Sequence, residues 1–218
     1  MHIHDITSAL HARFPVWPGH APVGLRVEKS HENGDGVQIT HLDFGAHTAT
    51  HLDAPRHFIP GGGLVTDLDL RALLGPCFVL RPSGPGPIGV DYFRNAALPD
   101  PARRILLAFE HNEGKLDEAD FFPDYAAIDE EAAHYLVARG LRLIGTNYLS
   151  IGPFHGGNPE VHRALLGPET IIVEGLDLRG VPEGEHTLAC LPILLPADGA
   201  PCRAVLLPAG ALPDPLDA

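Results

Sequence analysis

Short runs of apolar residues, separated by glycine- and proline-containing turns, dominate the pattern along this chain. Residues 37–44 alternate between apolar and polar positions, which is typical of a strand with one buried face. Residues 77–80 and 105–109 are almost continuously apolar, as expected for strands that are buried on both faces. The whole pattern predicts about eight to ten strands, at residues 2–7, 23–29, 37–44, 77–80, 105–109, 141–146, 170–176, 187–195 and 202–208.

Signals for helices are fewer. Asp129 can cap a helix that ends near Arg139, because acidic residues occupy its first turn and Gly140 stands just beyond its end. Two shorter helices are predicted at residues 67–74 and 159–166. Strands combined with a few helices indicate a mixed α/β fold.

The length of 218 residues fits one domain, large enough to bury a core without disulfide bonds. Hydrophobic residues make up 44% of the chain, which excludes an intrinsically disordered protein. We therefore expect a single compact domain over residues 1–208. The last residues, 209–218, are rich in Pro, Ala and Asp and are predicted to form a loose tail.

Charge narrows the possible partners. The chain has 15 basic and 28 acidic residues, a net charge of −13 at pH 7, which argues against nucleic acid as a partner.

No apolar run approaches the ~20 residues that cross a bilayer, and the N-terminus shows no secretory signal. Cys77, Cys190 and Cys202 are widely spaced, which predicts neither a disulfide framework nor a thiolate cluster. These features predict a cytoplasmic protein with no membrane partner.

The candidate chemistry is concentrated in one stretch that contains His47, His51, Asp53 and His57. Imidazole and carboxylate groups are preferred ligands of zinc, manganese and iron. Threonines in the first gap and Pro55 in the second disfavour a helix, so an irregular loop around a cation is predicted. The alternative is a set of surface histidines that satisfy one another. If a metal is bound, His57 is the natural acid–base residue, because it lies last in the run, beyond the proline.

A second set of candidate ligands lies more than one hundred residues downstream. His162 falls on the predicted helix at 159–166, and Glu174 ends a strand directly after three β-branched residues. Sites collect at strand ends in α/β folds, so both side chains are candidates for the same centre. Trp17, the only tryptophan, lies on a Pro/Gly loop, where it either plugs the edge of the core or forms an aromatic wall for a substrate.

Four segments resemble one known family. His47-Thr48-Ala49-Thr50-His51-Leu52-Asp53-Ala54-Pro55-Arg56-His57 is similar to the His-Thr-Gly-Thr-His-x-Asp-Ala-Pro-x-His signature of the "putative cyclase" family. Phe14-Pro15-Val16-Trp17-Pro18-Gly19, Gly145-Thr146-Asn147-Tyr148-Leu149-Ser150 and Asp198-Gly199-Ala200-Pro201-Cys202-Arg203-Ala204-Val205 resemble further segments of it. The family includes bacterial kynurenine formamidases (arylformamidases) and isatin hydrolases.

This resemblance implies a compact α/β domain with a mixed, barrel-like sheet of the swivelling type, assembled as a homodimer or homotetramer. It implies one or two divalent metal ions per subunit, zinc in the first place and manganese as the alternative. The implied metal ligands are His47, His51, Asp53, His162 and Glu174. His57 would be the general acid/base, and Trp17 and Phe14 would bind substrate.

The implied activity is metal-dependent hydrolysis of a non-peptide C–N bond by a metal-bound hydroxide, with N-formylkynurenine or a related aryl amide as substrate. A cyclic amide such as isatin is the alternative substrate, and a non-catalytic metal- or ligand-binding protein is the alternative class. Three positions depart from the family pattern: Ala49 replaces a glycine, Asn147 replaces an aspartate, and His20 stands where an aspartate is usual. If position 49 requires a positive φ, alanine is strained by about 1 kcal/mol.

Overall fold

The fold was analysed in a computed structural model that describes residues 2–217. Over this range the chain forms ten strands and three α-helices. The strands are β1 (His4–Asp5), β2 (Gly24–Lys29), β3 (Ile39–Asp43), β4 (His51–Asp53), β5 (Leu74–Leu80), β6 (Arg104–Leu107), β7 (Leu143–Thr146), β8 (Ile171–Glu174), β9 (Gly184–Pro192) and β10 (Gly199–Pro208). The helices are α1 (Val90–Asn95), α2 (Glu130–Ala138) and α3 (Asn158–Leu166).

Eight of these strands form one sheet that closes on itself. β5, β6, β7 and β8 run parallel, and the helices α1, α2 and α3 lie in the three connections between them. The strands β4, β10 and β9 are antiparallel to their neighbours and complete the circle back to β5. The predicted mixed, barrel-like α/β sheet is therefore confirmed.

Two buried layers lie on the two faces of this sheet. Leu52, Val79 and Val173 belong to the cluster that fills the barrel. Ile144 and Ile172 point the other way and pack with apolar residues of α2 and α3. Because side chains alternate along a strand, neighbouring positions on β4 and β8 face different layers.

The strands β2 and β3 form a separate two-stranded ribbon. Every residue of β3 is exposed, including Leu42 at 57%, and Val27 on β2 is exposed at 54%. An isolated ribbon of two strands has little stability of its own in water. Its apolar residues therefore provide a surface that another element can cover.

Several local predictions differ from the structure. The segment predicted as a helix at 67–74 instead contains short 3-10 helices at Val65–Asp67 and Leu70–Leu73, followed directly by β5. The helix α1 was not predicted, because Pro/Gly-rich sequence surrounds it. Cys190 and Cys202, distant in sequence, meet across β9 and β10 as free thiols with their Sγ atoms 3.4 Å apart.

The segment predicted to be loose, at 209–218, is attached to the domain at Asp214. Asp214 accepts hydrogen bonds from Arg104 at 3.1 Å and from Arg103 at 3.2 Å. The side chain of Arg104 is fully buried, and its guanidinium group also donates to three backbone carbonyls. A buried cation needs an anion, which explains why the chain end is attached.

No helix within residues 2–217 has the length and apolar character that a bilayer crossing requires.

Candidate metal centre

The pairing of β4 with β8 creates the centre of the site. His51 lies directly opposite Glu174, and Leu52 lies opposite Val173. Leu52 and Val173 enter the barrel core, so His51 and Glu174 share the opposite face, together with Asp53. His51 Nε2 lies 3.5 Å from Asp53 Oδ1 and 3.5 Å from Glu174 Oε2.

Unpaired donor atoms test whether these residues suit a metal. His51 Nδ1 donates a hydrogen bond to the carbonyl of Ala49 at 2.9 Å, which leaves the lone pair on Nε2. Within residues 2–217, His51 Nε2 and Asp53 Oδ2 are buried and have no hydrogen-bond partner. Buried polar atoms are normally paired, and a cation held by both atoms would account for the exception. Imidazole and carboxylate donors fit a divalent ion such as zinc or manganese.

The helix α3 supplies His162 from above the sheet. Its Nδ1 donates to the carbonyl of Asn158 at 2.8 Å, which fixes the ring and leaves Nε2 directed at the carboxylates. Nε2 lies 3.3 Å from Glu174 Oε1 and 3.8 Å from Asp53 Oδ2. Burial favours the neutral form of His162, but the hydrogen bond and charge of Glu174 outweigh it and raise the pKa. The carboxylates of Glu174 and Asp53 therefore each direct both of their oxygens toward histidine side chains.

His47 lies between two carboxylates. Its Nδ1 is 2.7 Å from Asp53 Oδ1, and its Nε2 is 2.9 Å from Asp198 Oδ2. Burial alone would lower the pKa of His47, but the hydrogen bonds and charges of Asp53 and Asp198 raise it to about 9. Burial likewise opposes ionisation of Asp53, but His47 and His51 hold the pKa of that carboxyl well below its ordinary value. In the metal-free protein, a proton on His47 thus partly balances the buried negative charge.

His57 lies beside His47 rather than between the carboxylates of Asp53 and Asp198. Its ring stacks on that of His47 with centroids 3.8 Å apart, and its Nδ1 donates to Asp198 Oδ2 at 3.2 Å. Burial lowers the pKa of His57, so its ring is neutral near pH 7 and can accept a proton. The donor atoms of His47, Asp53 and His57 lie within 4.8 Å of one another, so distance alone also permits His57 as a ligand.

Asp198 is a residue of the site that the sequence did not reveal as functional. It lies in the loop before β10, and its Oδ2 accepts hydrogen bonds from both His47 and His57. The next residue, Gly199, must lack a side chain, because a Cβ there would lie 2.5 Å from His47 Cε1. A Gly directly after an Asp was the only local signal, and such pairs are common in ordinary turns.

Ala49 adopts a φ of 54°, the left-handed conformation that usually requires glycine. A positive φ is therefore present at this position, and alanine in this conformation costs about 1 kcal/mol. The conformation directs the Ala49 carbonyl toward His51 Nδ1. Gly175 follows Glu174, and any Cβ there would collide with that same carbonyl. Asn147, the other departure, exchanges two hydrogen bonds with the backbone of Phe109 and does not contact the histidines.

A cavity of about 400 Å³ opens onto the histidines. Trp17 lines it and packs edge-on against Phe154, with ring centroids 5.4 Å apart. His20 also lines it, and burial lowers the pKa of its ring, with smaller contributions from His47 and His51. Phe14 does not line this cavity: it is buried in a neighbouring apolar cluster and borders a different cavity. The structure thus places Phe14 in an apolar cluster against which Trp17 packs, outside the lining of this cavity, and its contact with a substrate stays a prediction.

The metal-free protein should lose stability as the pH rises from 6.5 through 9. Folding raises the pKa of His47 from 6.5 to about 9, so its contribution is complete below pH 6.5 and disappears above pH 9. The shift corresponds to about 3 kcal/mol at most. Urea unfolding in a chelating buffer at pH 6 and pH 9 measures it.

Two further measurements test whether His47 causes this pH dependence of stability. His47→Gln should flatten the dependence, because the titrating group is removed. A saturating divalent metal should reverse it, because the cation replaces the proton. Equal stability of the chelated wild-type protein at both pH values would contradict the interpretation of His47.

Asp198→Asn should weaken metal binding and turnover together, by about 10- to 100-fold each. Both His47 Nε2 and His57 Nδ1 donate to the same oxygen, Oδ2, and the neutral amide oxygen that would replace it is a weaker acceptor than a carboxylate, so both rings are held less firmly. Metal titration and kcat measure the two effects separately. Asp91→Asn, at an exposed position on α1, is the matched control. Unchanged metal affinity in Asp198→Asn would rule out a positioning role toward His47.

Comparison with known proteins identifies relatives of this chain. The family model described as "Putative cyclase" matches residues 4–153. The kynurenine formamidase of Geobacillus thermodenitrificans is 35% identical over 204 residues, which cover 93% of this chain and 95% of that protein. The kynurenine formamidase of Maricaulis maris is 33% identical over 203 residues, or 93% and 96% of the two chains.

Solved structures agree with these sequence matches. A structure described as a potential metal-dependent hydrolase with cyclase activity superposes with a TM-score of 0.79 at 27% identity, covering 94% of this chain and 96% of that one. Isatin hydrolase A from Labrenzia aggregata superposes with a TM-score of 0.79 at 21% identity, covering 94% and 93%. The second likeness shows a shared fold.

Proposed function

This chain belongs to the "Putative cyclase" family, and on that premise we propose that it is a metal-dependent hydrolase of the C–N bond of an aryl amide. The observation that carries the proposal is the buried set of His51, Asp53 and Glu174, whose donor atoms lie within 4.8 Å of one another beside an aromatic cavity. The kynurenine formamidase relatives make N-formylkynurenine or a related formyl anilide the first substrate class to test.

The proposed chemistry divides between the metal and the chain. When bound, a divalent metal lowers the pKa of water and polarises a carbonyl oxygen. His57 is the proton carrier: Asp198 holds its Nδ1, which leaves Nε2 to take a proton from water and return it to the departing nitrogen. Trp17 supplies an apolar wall against which an aromatic ring can pack.

The arrangement of the carboxylates supports two metal positions. Asp53 Oδ1 faces His47 and His51, whereas Asp53 Oδ2 faces His162. Glu174 repeats this pattern, with Oε2 toward His51 and Oε1 toward His162. We propose His47, His51 and Asp53 as ligands of one ion, with Asp53, His162 and Glu174 around the second. Three imidazoles among five ligands favour zinc over manganese, and metal titration followed by elemental analysis gives both identity and number.

We also propose that the protein is a homodimer or homotetramer in the cytoplasm. The exposed apolar residues of the β2–β3 ribbon support self-association, because a second copy would remove them from water. Three free cysteines, all buried, support a reducing compartment. Light scattering of the purified protein tests the first statement, with Leu42→Asp as the variant expected to dissociate.

The function is tested on a panel of formyl anilides and cyclic amides with added zinc or manganese. Mass spectrometry should show formate and the free aniline from a formyl anilide, and a single ring-opened product heavier by one water from a cyclic amide, because hydrolysis adds one water across the C–N bond. Turnover of cyclic amides alone would assign a lactam hydrolase instead. Metal binding without turnover of any compound would favour the non-catalytic alternative.

A further inference from the structure

Outside the metal centre, the cavity that opens onto the histidines is lined by more apolar than polar residues. Five of the residues around it are apolar: Trp17, Phe58, Leu149, Phe154 and Pro159. Trp17 packs against Phe121 as well as Phe154, with centroids 5.3 Å and 5.4 Å away, so this wall is fixed by its neighbours. Phe58, which also lines the cavity, stacks on His162, with centroids 4.4 Å apart. A planar ring can pack against such aromatic side chains.

Beyond the histidines and Glu174, the polar residues of the lining are Ser150 and Asn158, which hydrogen-bond to each other. Ser150 Oγ accepts a hydrogen bond from Asn158 Nδ2 at 2.7 Å, and the same amide group also donates to the carbonyl of Gly152 at 3.0 Å. Among the described residues, Glu174 is the only acidic one in the lining, and it accepts a hydrogen bond from the backbone N–H of Ile151 at 2.8 Å while facing His162. Neither Lys nor Arg occurs among the cavity-lining residues in the described part of the chain.

This distribution of charge matters for substrates that carry an ionised group besides the amide. Moving a carboxylate or an ammonium group from water into an apolar pocket is unfavourable unless an opposite charge or several hydrogen bonds receive it. Outside the metal centre, the described lining residues include no Lys, Arg, Asp or Glu that could pair with such a charge. A volume of about 400 Å³ accommodates small aromatic amides with or without a short side chain, so size does not discriminate between them. Charge does.

We propose that the cavity selects aryl amides that carry no ionised substituent, and disfavours those that carry an α-amino acid group. This inference rests on the proposed function and narrows its substrate class. Within that class, a neutral formyl anilide binds with its ring against Trp17 and its amide at the histidines. No described residue of the lining outside the metal centre stabilises an added charge.

A matched pair of compounds tests the inference. 2′-Formamidoacetophenone and N-formylkynurenine share the formyl anilide and the ketone, and only the second carries the amino acid group. We expect kcat/KM for the neutral compound to be at least about tenfold higher with the metal-loaded protein. Equal values, or a preference for N-formylkynurenine, would overturn the inference but leave the proposed hydrolase intact. No turnover of either compound would instead refute the proposed function, and the inference with it.

A charge introduced into the lining gives a second, independent readout. His20→Lys places an ammonium group in the cavity, and His20→Met has similar length without the charge. The compounds are 2′-formamidoacetophenone and its carboxylate-bearing analogue 4-(2-formamidophenyl)-4-oxobutanoate. We expect the ratio of kcat/KM, charged over neutral, to be about tenfold higher in His20→Lys than in His20→Met. The same ratio in both variants would overturn the inference, because the charged group would then lie outside the cavity.

Discussion

His51→Ala should abolish both metal binding and hydrolysis. His51 is 2% exposed, and its Nε2 lies between Asp53 and Glu174 with no hydrogen-bond partner among residues 2–217. Removing the imidazole deletes a donor for which the remaining side chains have no substitute. A metal contributes several kcal/mol to such a reaction, so kcat/KM should fall by about 10³-fold or more. Elemental analysis and hydrolysis of a formyl anilide measure the two losses.

Folding must be separated from metal loss in this experiment. His51→Gln keeps a polar side chain and more of the buried volume, and it should retain the circular dichroism spectrum while still losing metal. His134→Ala is the matched control, since His134 is exposed on α2 far from the ligands in sequence. A folded His51→Ala that retains stoichiometric metal would exclude His51 as a ligand.

His57→Ala should retain the metal and lose turnover. The ring of His57 is held by Asp198 and stacks on His47, but it stands outside the set of His51, Asp53 and Glu174. Burial lowers the pKa of His57, so the wild-type ring is available as a base near pH 7. Loss of general acid–base catalysis reduces kcat by about 10²- to 10⁴-fold. Metal content and kcat are measured on the same preparation.

Chemical rescue distinguishes this role from others. Added imidazole can enter the space left by the side chain, and it should restore part of the activity of His57→Ala but none of that of His51→Ala. Loss of metal from His57→Ala would identify His57 as a ligand, which its distance to His47 and Asp53 also permits. Retention of most of the activity would show that another group carries the proton.

The sequence was most informative where chemistry and local structure coincide. His47, His51, Asp53 and His57 lie within eleven positions, so their residue types alone indicated a common site. A strand of three residues, β4, interrupts the predicted irregular loop and places the buried side chains of His51 and Asp53 on the face opposite to Leu52, which enters the barrel core.

Distant members of the site were predictable only in part. Glu174 was a candidate because it follows a β-branched run at a strand end, and α3 placed His162 on a helix as predicted. Asp198 had no such signal, since an aspartate before a glycine is typical of many turns. Its contact with His47 and His57 depends on the pairing of β10 with β4, which joins residues about 150 positions apart.

The sequence by itself determined the chemistry of the ligand run, the mixed α/β class and the positions of most strands. These follow from residue type and from periodicity over a few positions, which are local properties. Only the tertiary structure decided that β5 pairs with β9 and β4 with β8 and β10 to close the sheet, that Asp198 accepts hydrogen bonds from both His47 and His57, and that Phe14 packs away from the cavity that Trp17 lines. Such contacts depend on the register between strands distant in sequence, and a shift of one residue would turn His51 and Glu174 into the barrel core.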